Sequence, residues 1–288
     1  MVTNIQLVAA TTIPNLHSRL LRGRDSNDKY DNAYFVAQGE WACSPAALSA
    51  LKPAFSDAQR LAQAAIDALQ VSGVETSDAF ANWFGDSNAS PQVVTELLNE
   101  HFKPAMTHFL FPSFLAAVAF QDEGVLYQTR PQDPEPSDDS LVFACPPATQ
   151  SPADICGPFT HAGVFEQFSQ NSDGSVDFVG PTMLSLCPPF FQSTTTLDQM
   201  VQTWKAGLTI EPMSRGFTLL HELQHMRKTT SPNPKADDVQ NPNDSGSGCY
   251  SPGCCAALPG ADKIRNAQNY ALFALDVLTF PERAKPQS

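Results

Sequence analysis

Apolar residues recur at helical spacing from Ser44 onward, with Leu61, Ala65 and Leu69 on one stripe, and Pro53 is expected to divide a short opening turn from the main helix. A short helix is predicted over residues 78–83, stopping at Gly85. Ser90 followed by Pro91 reads as an N-cap with proline in the first helical position, which puts Val94, Leu97, Leu98 and Phe102 on one face. Residues 103–190 change character: β-branched and aromatic runs between turn residues mark strands at 115–120, 140–145, 163–165 and 183–187, with short extended runs earlier at 5–9 and 34–37. Helical spacing returns over 194–204, 215–226 and 261–280, the last with Ile264, Ala267, Ala271, Ala274, Leu275 and Leu278 as its packing stripe. Residues 228–255, rich in Pro, Asn, Asp, Ser and Gly, are expected to form a long ordered loop pinned by cysteine, and 132–140 an acidic, proline-rich exposed loop. No repeat or linker interrupts this order. The expected organisation is a single α+β domain over 1–288, predominantly α-helical, with a helical part at 1–105 and a core at 106–288 that carries a small sheet, the helix at 215–226 and the C-terminal helix.

Within residues 215–226, Arg-Gly-Phe-Thr-Leu-Leu-His-Glu-Leu-Gln-His-Met, lies the pattern His-Glu-x-x-His. Positions four apart on a helix sit one turn above each other, so His221 and His225 can aim both imidazoles at one point beside the axis. Two neutral imidazole nitrogens suit a zinc ion, and Glu222 between them can take a proton from a water at the metal. The context agrees: Ser214 can cap the helix, Leu219, Leu220, Leu223 and Met226 supply an apolar covering, and Arg227 and Lys228 follow where positive charge suits a helix C-terminus. The plainer alternative is an amphipathic helix carrying two surface histidines. His17, His101, His108 and His161 fall outside any ligand spacing, and surface or hydrogen-bonded core histidine is the default for each.

Composition narrows the class. With 42% hydrophobic and 16% charged residues and 24 Pro, the chain has the make-up of a folded protein with many ordered loops. A net charge of -13 argues against nucleic acid or an anionic membrane as partner and weakly favours cationic substrates. The most apolar stretch, 109–120, is too short to cross a bilayer and is interrupted by Pro112 and Ser113. Seven Cys and the triplets Asn88-Ala89-Ser90 and Asn243-Asp244-Ser245 fit an oxidising compartment, so the chain is expected to be secreted; residues 1–10 lack a signal-peptide pattern, and a leader is expected to have been removed. The odd count leaves at least one thiol unpaired or paired between chains. A competing reading makes Cys249, Cys254 and Cys255 metal ligands, against disulfides as the plainer account.

Four places resemble the fungal deuterolysin-like metallopeptidases, the aspzincins: Ala81-Asn82-Trp83-Phe84-Gly85 before a Val-rich helix, Leu186-Cys187-Pro188-Pro189-Phe190-Phe191, Leu219 through His225, and Asn266-Ala267-Gln268-Asn269-Tyr270-Ala271-Leu272-Phe273-Ala274. The last is close to that family's Asn-Ala-Asp-x-Tyr-x-x-Phe-Ala ending. The resemblance implies a mostly helical zincin-like metallopeptidase fold with a small sheet, one zinc held by two His and an Asp, and hydrolysis of protein or peptide substrates.

That family draws its Asp ligand from Gly-Thr-x-Asp-x-x-Tyr-Gly, and here the pattern is broken. Residues 235–240, Lys-Ala-Asp-Asp-Val-Gln, look like its first half and would make Asp238 the ligand, whereas Cys249-Tyr250-Ser251 looks like the second half, displaced by an insertion. A direct count back from Tyr250 lands on Ser247, a poor zinc ligand. Asp237 and Asp244 stay open beside Asp238, and each of the three can equally be a loop Asp bonding its own backbone. By its match to the family's Tyr, Tyr250 would donate a hydrogen bond to the developing oxyanion; a buried structural tyrosine is the alternative. The leading expectation is a secreted zinc endopeptidase with Glu222 as general base. The alternative is a non-catalytic relative that keeps the two-His helix for metal capture or surface binding but has an altered third-ligand loop, and a third is a structural protein with an accidental motif.

Overall fold

A computed structural model of the chain describes residues 33–108, 113–120, 126–128, 141–147, 156–157, 160–166, 168–170, 176–178, 182–230 and 235–287. The expected strand at 5–9 and the acidic loop at 132–140 lie outside these residues, as does His17.

β1 (Ala33–Gln38) leads into α1 (Pro45–Leu69), which starts where Ser44 Oγ accepts from the Ala47 amide at 3.1 Å. Contrary to expectation, α1 runs straight through Pro53. Proline in a helix interior costs roughly 3 kcal/mol. Pro53 faces outward, however, while Leu51, Ala54 and Phe55 around it are buried in the core, at about 1.5–3 kcal/mol for each large apolar side chain. α2 (Asp78–Trp83) matches its predicted span, capped by Ser77. α3 (Pro91–Glu96) begins at Ser90 and Pro91 as expected, then passes through a π-helical turn, Leu97–Phe102, into α4 (Lys103–His108). His101, in that turn, is buried.

The strands β2 (Ser113–Phe120), β3 (Leu126–Gln128), β4 (Leu141–Ala144), β5 (Ala162–Phe165), β6 (Phe168–Gln170), β7 (Val176–Phe178) and β8 (Thr182–Leu186) follow. Six strands form one sheet in the order β3-β2-β1-β4-β8-β5, with β2, β1, β4 and β8 parallel and β3 and β5 antiparallel at its edges. β4 and β8 are buried along their length, which explains why β4 reads as a continuous apolar run without alternation, while β8 also buries Thr182 and Ser185. Val36, Leu141, Phe143, Leu184 and Leu186 join the main core, while Phe35, Ala37, Val142, Ala144 and Met183 form a smaller cluster. Among the described residues, β6 and β7 pair only with each other.

The helices α5 (Pro188–Gln192), α6 (Leu197–Lys205), α7 (Arg215–Leu223) and α8 (Arg227–Thr230) come next; Thr196 and Gln199 close a capping box on α6. The region expected to be a loop instead holds a hairpin, β9 (Gln240–Asn241) with β10 (Asp244–Gly248), and a short helix, α9 (Pro252–Ala257). The last predicted helix is two: α10 (Gly260–Lys263) and α11 (Ala267–Thr279). Asn266 is extended between them, its backbone drawn into a parallel bridge with Asp237. Apolar periodicity carries no trace of that bridge. Farther along α11, the buried carboxylate of Asp276 accepts from Trp83 Nε1 at 2.9 Å, Trp204 Nε1 at 3.1 Å and Arg283 Nη1 at 2.7 Å. Paired in this way, a buried charge ties α2, α6 and the C-terminal turn to one helix.

Six cysteines pair as Cys43–Cys145, Cys156–Cys187 and Cys249–Cys254. Cys255 is the leftover thiol; it is buried, and its Sγ donates to the Cys249 carbonyl at 3.1 Å. The reading of Cys249, Cys254 and Cys255 as metal ligands is therefore corrected, since two of the three sulfurs bond each other. Burial pushes the Cys255 thiol up to about 12, against a hydrogen bond from Asn266. No helix among the described residues is long and apolar enough to cross a membrane.

Candidate metal centre

α7 is set before it reaches its histidines. Ser214 Oγ accepts from the Phe217 amide at 3.2 Å, and the Arg215 guanidinium donates to the carbonyls of Phe190 at 3.2 Å and Phe191 at 2.7 Å. Gly216 lies against α1 so closely that a Cβ would stand 2.4 Å from Asp57 Cβ and 2.8 Å from the Ala58 amide nitrogen. Phe217, Leu219, Leu220 and Leu223 are fully buried, so α7 sits in the core rather than on it. The helix ends sooner than the sequence suggests, at Leu223. Its chain continues in tighter bonds, Gln224 N to His221 O and His225 N to Glu222 O, both 3.0 Å.

The two imidazoles still converge. His221 Nε2 and His225 Nε2 are 3.1 Å apart, with the rings close to perpendicular at 80°. Asp238 Oδ1 stands 3.3 Å from the first and 3.4 Å from the second. Four ligands at about 2.0–2.1 Å from one zinc ion would themselves be separated by about 3.3–3.4 Å. The nearly equilateral triangle of two nitrogens and one oxygen therefore has the size of one face of such a tetrahedron, and its donor set is one zinc accepts. His225 Nδ1 is 2.8 Å from the Ala236 carbonyl, a partner that can only accept, so the proton belongs on Nδ1 and Nε2 presents its lone pair. His221 Nδ1 is buried without a hydrogen-bond partner among the described residues.

The acidic groups around the histidines favour a positive charge between them. Burial opposes a charge on His225, yet the hydrogen bond and charge of Asp238 and the charge of Glu222 outweigh it and bring the group up to about 9. Burial likewise opposes charge on Asp238, and its bonds to both histidines override this and hold the carboxyl well below the usual range. Burial raises Glu222, with the two histidines pulling it back. Such a cluster attracts a positive charge to its centre.

Of the three candidate acids, the structure brings Asp238 alone to the histidines. Asp237 Oδ2 faces Arg265 at 3.2 Å, and Asp244 accepts from the Gly246 amide at 3.1 Å and from Ser247 Oγ at 3.0 Å within its own exposed hairpin. Tyr250, 12 positions after Asp238 in sequence, is nevertheless its neighbour: its hydroxyl lies within reach of the Asp238 charge, and its ring centroid is 6.0 Å from that of His221. The residues between them explain this. They leave and re-enter through one hairpin whose base is closed by Cys249 N donating to Val239 O at 2.7 Å. Burial, together with the charges of Asp238 and Glu222, keeps the Tyr250 hydroxyl protonated.

Sequence reasoning missed the groups behind the site. His101 Nδ1 meets Gln224 Oε1 at 3.0 Å on the reverse of the His221–His225 turn, and its ring stacks on Tyr270 at 4.5 Å. Burial lowers His101 to about 4, so it stays neutral against the partial support of Gln224. Asn266, quoted above only for its resemblance, is buried beneath the hairpin. No spacing rule links either residue to the histidines.

No family model and no curated protein matches this chain. Among solved structures it aligns with a zinc peptidase from Grifola frondosa over 81% of this chain and 97% of that one, at 18% identity and a TM-score of 0.46.

Proposed function

We propose that this chain is a secreted, zinc-dependent endopeptidase in which His221, His225 and Asp238 hold one zinc ion. The observation that carries the reading is the near-equilateral triangle of Nε2, Nε2 and Oδ1, with edges of 3.1, 3.3 and 3.4 Å. When bound, zinc supplies a Lewis acid that acidifies water and polarises a carbonyl. The chain's own groups do the rest. Glu222, whose proton affinity burial has raised, takes a proton from the attacking water on its carboxylate and hands it to the leaving amine nitrogen. Tyr250, its hydroxyl kept protonated beside Asp238, donates that one proton in a hydrogen bond to the carbonyl oxygen as charge develops there.

A peptide substrate fits the surroundings. Among the described residues β5 ends the sheet, paired on one side by β8, and it packs against α7. Just past its end, Glu166 Oε1 accepts from the Arg227 amide at 2.8 Å, two residues beyond His225. A strand edge at that position can take an extended backbone as an added strand. Three disulfides support the extracellular part of the proposal.

The test measures zinc content and peptide cleavage for the parent and for E222Q. Stoichiometric zinc in both, with kcat down about 10²–10⁴-fold in the variant, is expected. Zinc without cleavage in either protein would favour the non-catalytic, metal-holding alternative, and a parent without zinc would end both readings.

A further inference from the structure

Asp238 and Tyr250 stand on the two limbs of the hairpin base, and one side chain grips both limbs. Asn266 Oδ1 accepts from the Val239 amide at 3.2 Å, and its Nδ2 donates to the Cys249 carbonyl at 3.1 Å. Val239 follows Asp238, and Cys249 precedes Tyr250. Asn266 is itself fixed: Nδ2 also donates to Asn269 Oδ1 at 2.7 Å, and the backbone beside it bonds Asp237 through Asp237 N to Arg265 O at 2.6 Å and Ala267 N to Asp237 O at 2.9 Å. Two contacts finish the Tyr250 limb. Gln268 Nε2 donates to the Tyr250 carbonyl at 2.9 Å, and Gly248 leaves space that a Cβ would deny, 2.6 Å from the Tyr250 ring.

We infer that Asn266 is a positioning residue that sets Asp238 and Tyr250 in one register against His221 and His225. A carboxamide suits the task because it offers an acceptor and a donor in one plane, and the two limbs present an amide hydrogen and a carbonyl oxygen. A carboxylate would serve only the Asp238 limb, and an aliphatic side chain neither. This inference rests on the zinc-peptidase reading above, and it gives a role to one side chain, Asn266, that touches neither ion nor substrate.

The experiment uses the full chain and reads zinc affinity by chelator competition, kcat and KM on one peptide, and Tm. N266A removes both anchors and is expected to weaken zinc binding about 10–100-fold, the usual effect of losing a group that orients a metal ligand. N266D keeps the acceptor for Val239 and loses the donor to Cys249. Its zinc affinity and KM should match the parent, while kcat falls about a hundredfold, as in Y250F, with no further loss in the double variant. D276N, which loosens the far part of α11, is the control: Tm falls and zinc affinity does not. A folded N266A with parental zinc affinity, or N266D with parental kcat, overturns the inference. If N266A does not fold, N266D decides alone, and an equal loss of zinc affinity and kcat there counts against separate anchors. A parent that binds no zinc overturns the functional reading and this inference together, whereas a zinc-loaded parent with indifferent Asn266 variants overturns this inference alone.

Discussion

His221 and His225 reach their meeting point through a single turn of chain, whereas Asp238 and Tyr250 reach theirs by way of a buried side chain between the last two helices. The first pair inherits its geometry from helical rise and from a helix sunk in the core, so several kcal/mol of apolar burial stand behind it. The second pair is held by individual hydrogen bonds, each worth about 0.5–1.5 kcal/mol net. The acid limb is therefore the softer half of the centre. The difference also shows why a short motif can announce a metal site without announcing all of its ligands.

The largest effect belongs to the acid limb. D238A is expected to weaken zinc binding more than about 100-fold, beyond what losing an orienting group costs, while D237A and D244A stay near the parent; chelator competition on the three variants checks this, and a larger loss in D237A would break the assigned register. Next comes the support behind the histidine turn. Because His101 is lowered from an ordinary 6.5 to about 4, the stability tied to its neutral form is complete above pH 6.5 and drains away as pH falls toward 4, by about 2–3 kcal/mol. Urea unfolding at pH 7 and pH 4.5 should show this loss in the parent and a flatter response in H101Q; equal pH responses would remove His101 from the account. The smallest effect is steric. G216A forces a methyl against α1 and should cost about 1–3 kcal/mol in the same urea assay. A neutral G216A would mean that α7 is seated less tightly than the contact distances imply.

The α+β class and the mostly helical balance were legible, and the reasons are local. Ser90-Pro91 and Ser214 are caps with their own chemistry, and β4 announces burial through an unbroken apolar run. His221, Glu222 and His225 follow from spacing alone. Other features depend on contacts remote in sequence. β3, β6 and β7 are three residues each, too short for alternation to register. β10 reads Asp-Ser-Gly-Ser-Gly, poor strand formers held as a strand by closure at the hairpin base. Pro53 stays helical because its neighbours are buried, and the break before α11 exists because Asn266 pairs with Asp237. The choice among Asp237, Asp238 and Asp244 belongs to the same class: composition and spacing treat the three alike until the hairpin folds back.

Trp83 and Trp204, two of the three tryptophans in the chain, share the carboxylate of Asp276. About 15 Å of helix rise separates that residue from Asn266. Intrinsic emission from the shared pair is thus expected to report the seating of α11 against α2 and α6 as the fold is lost.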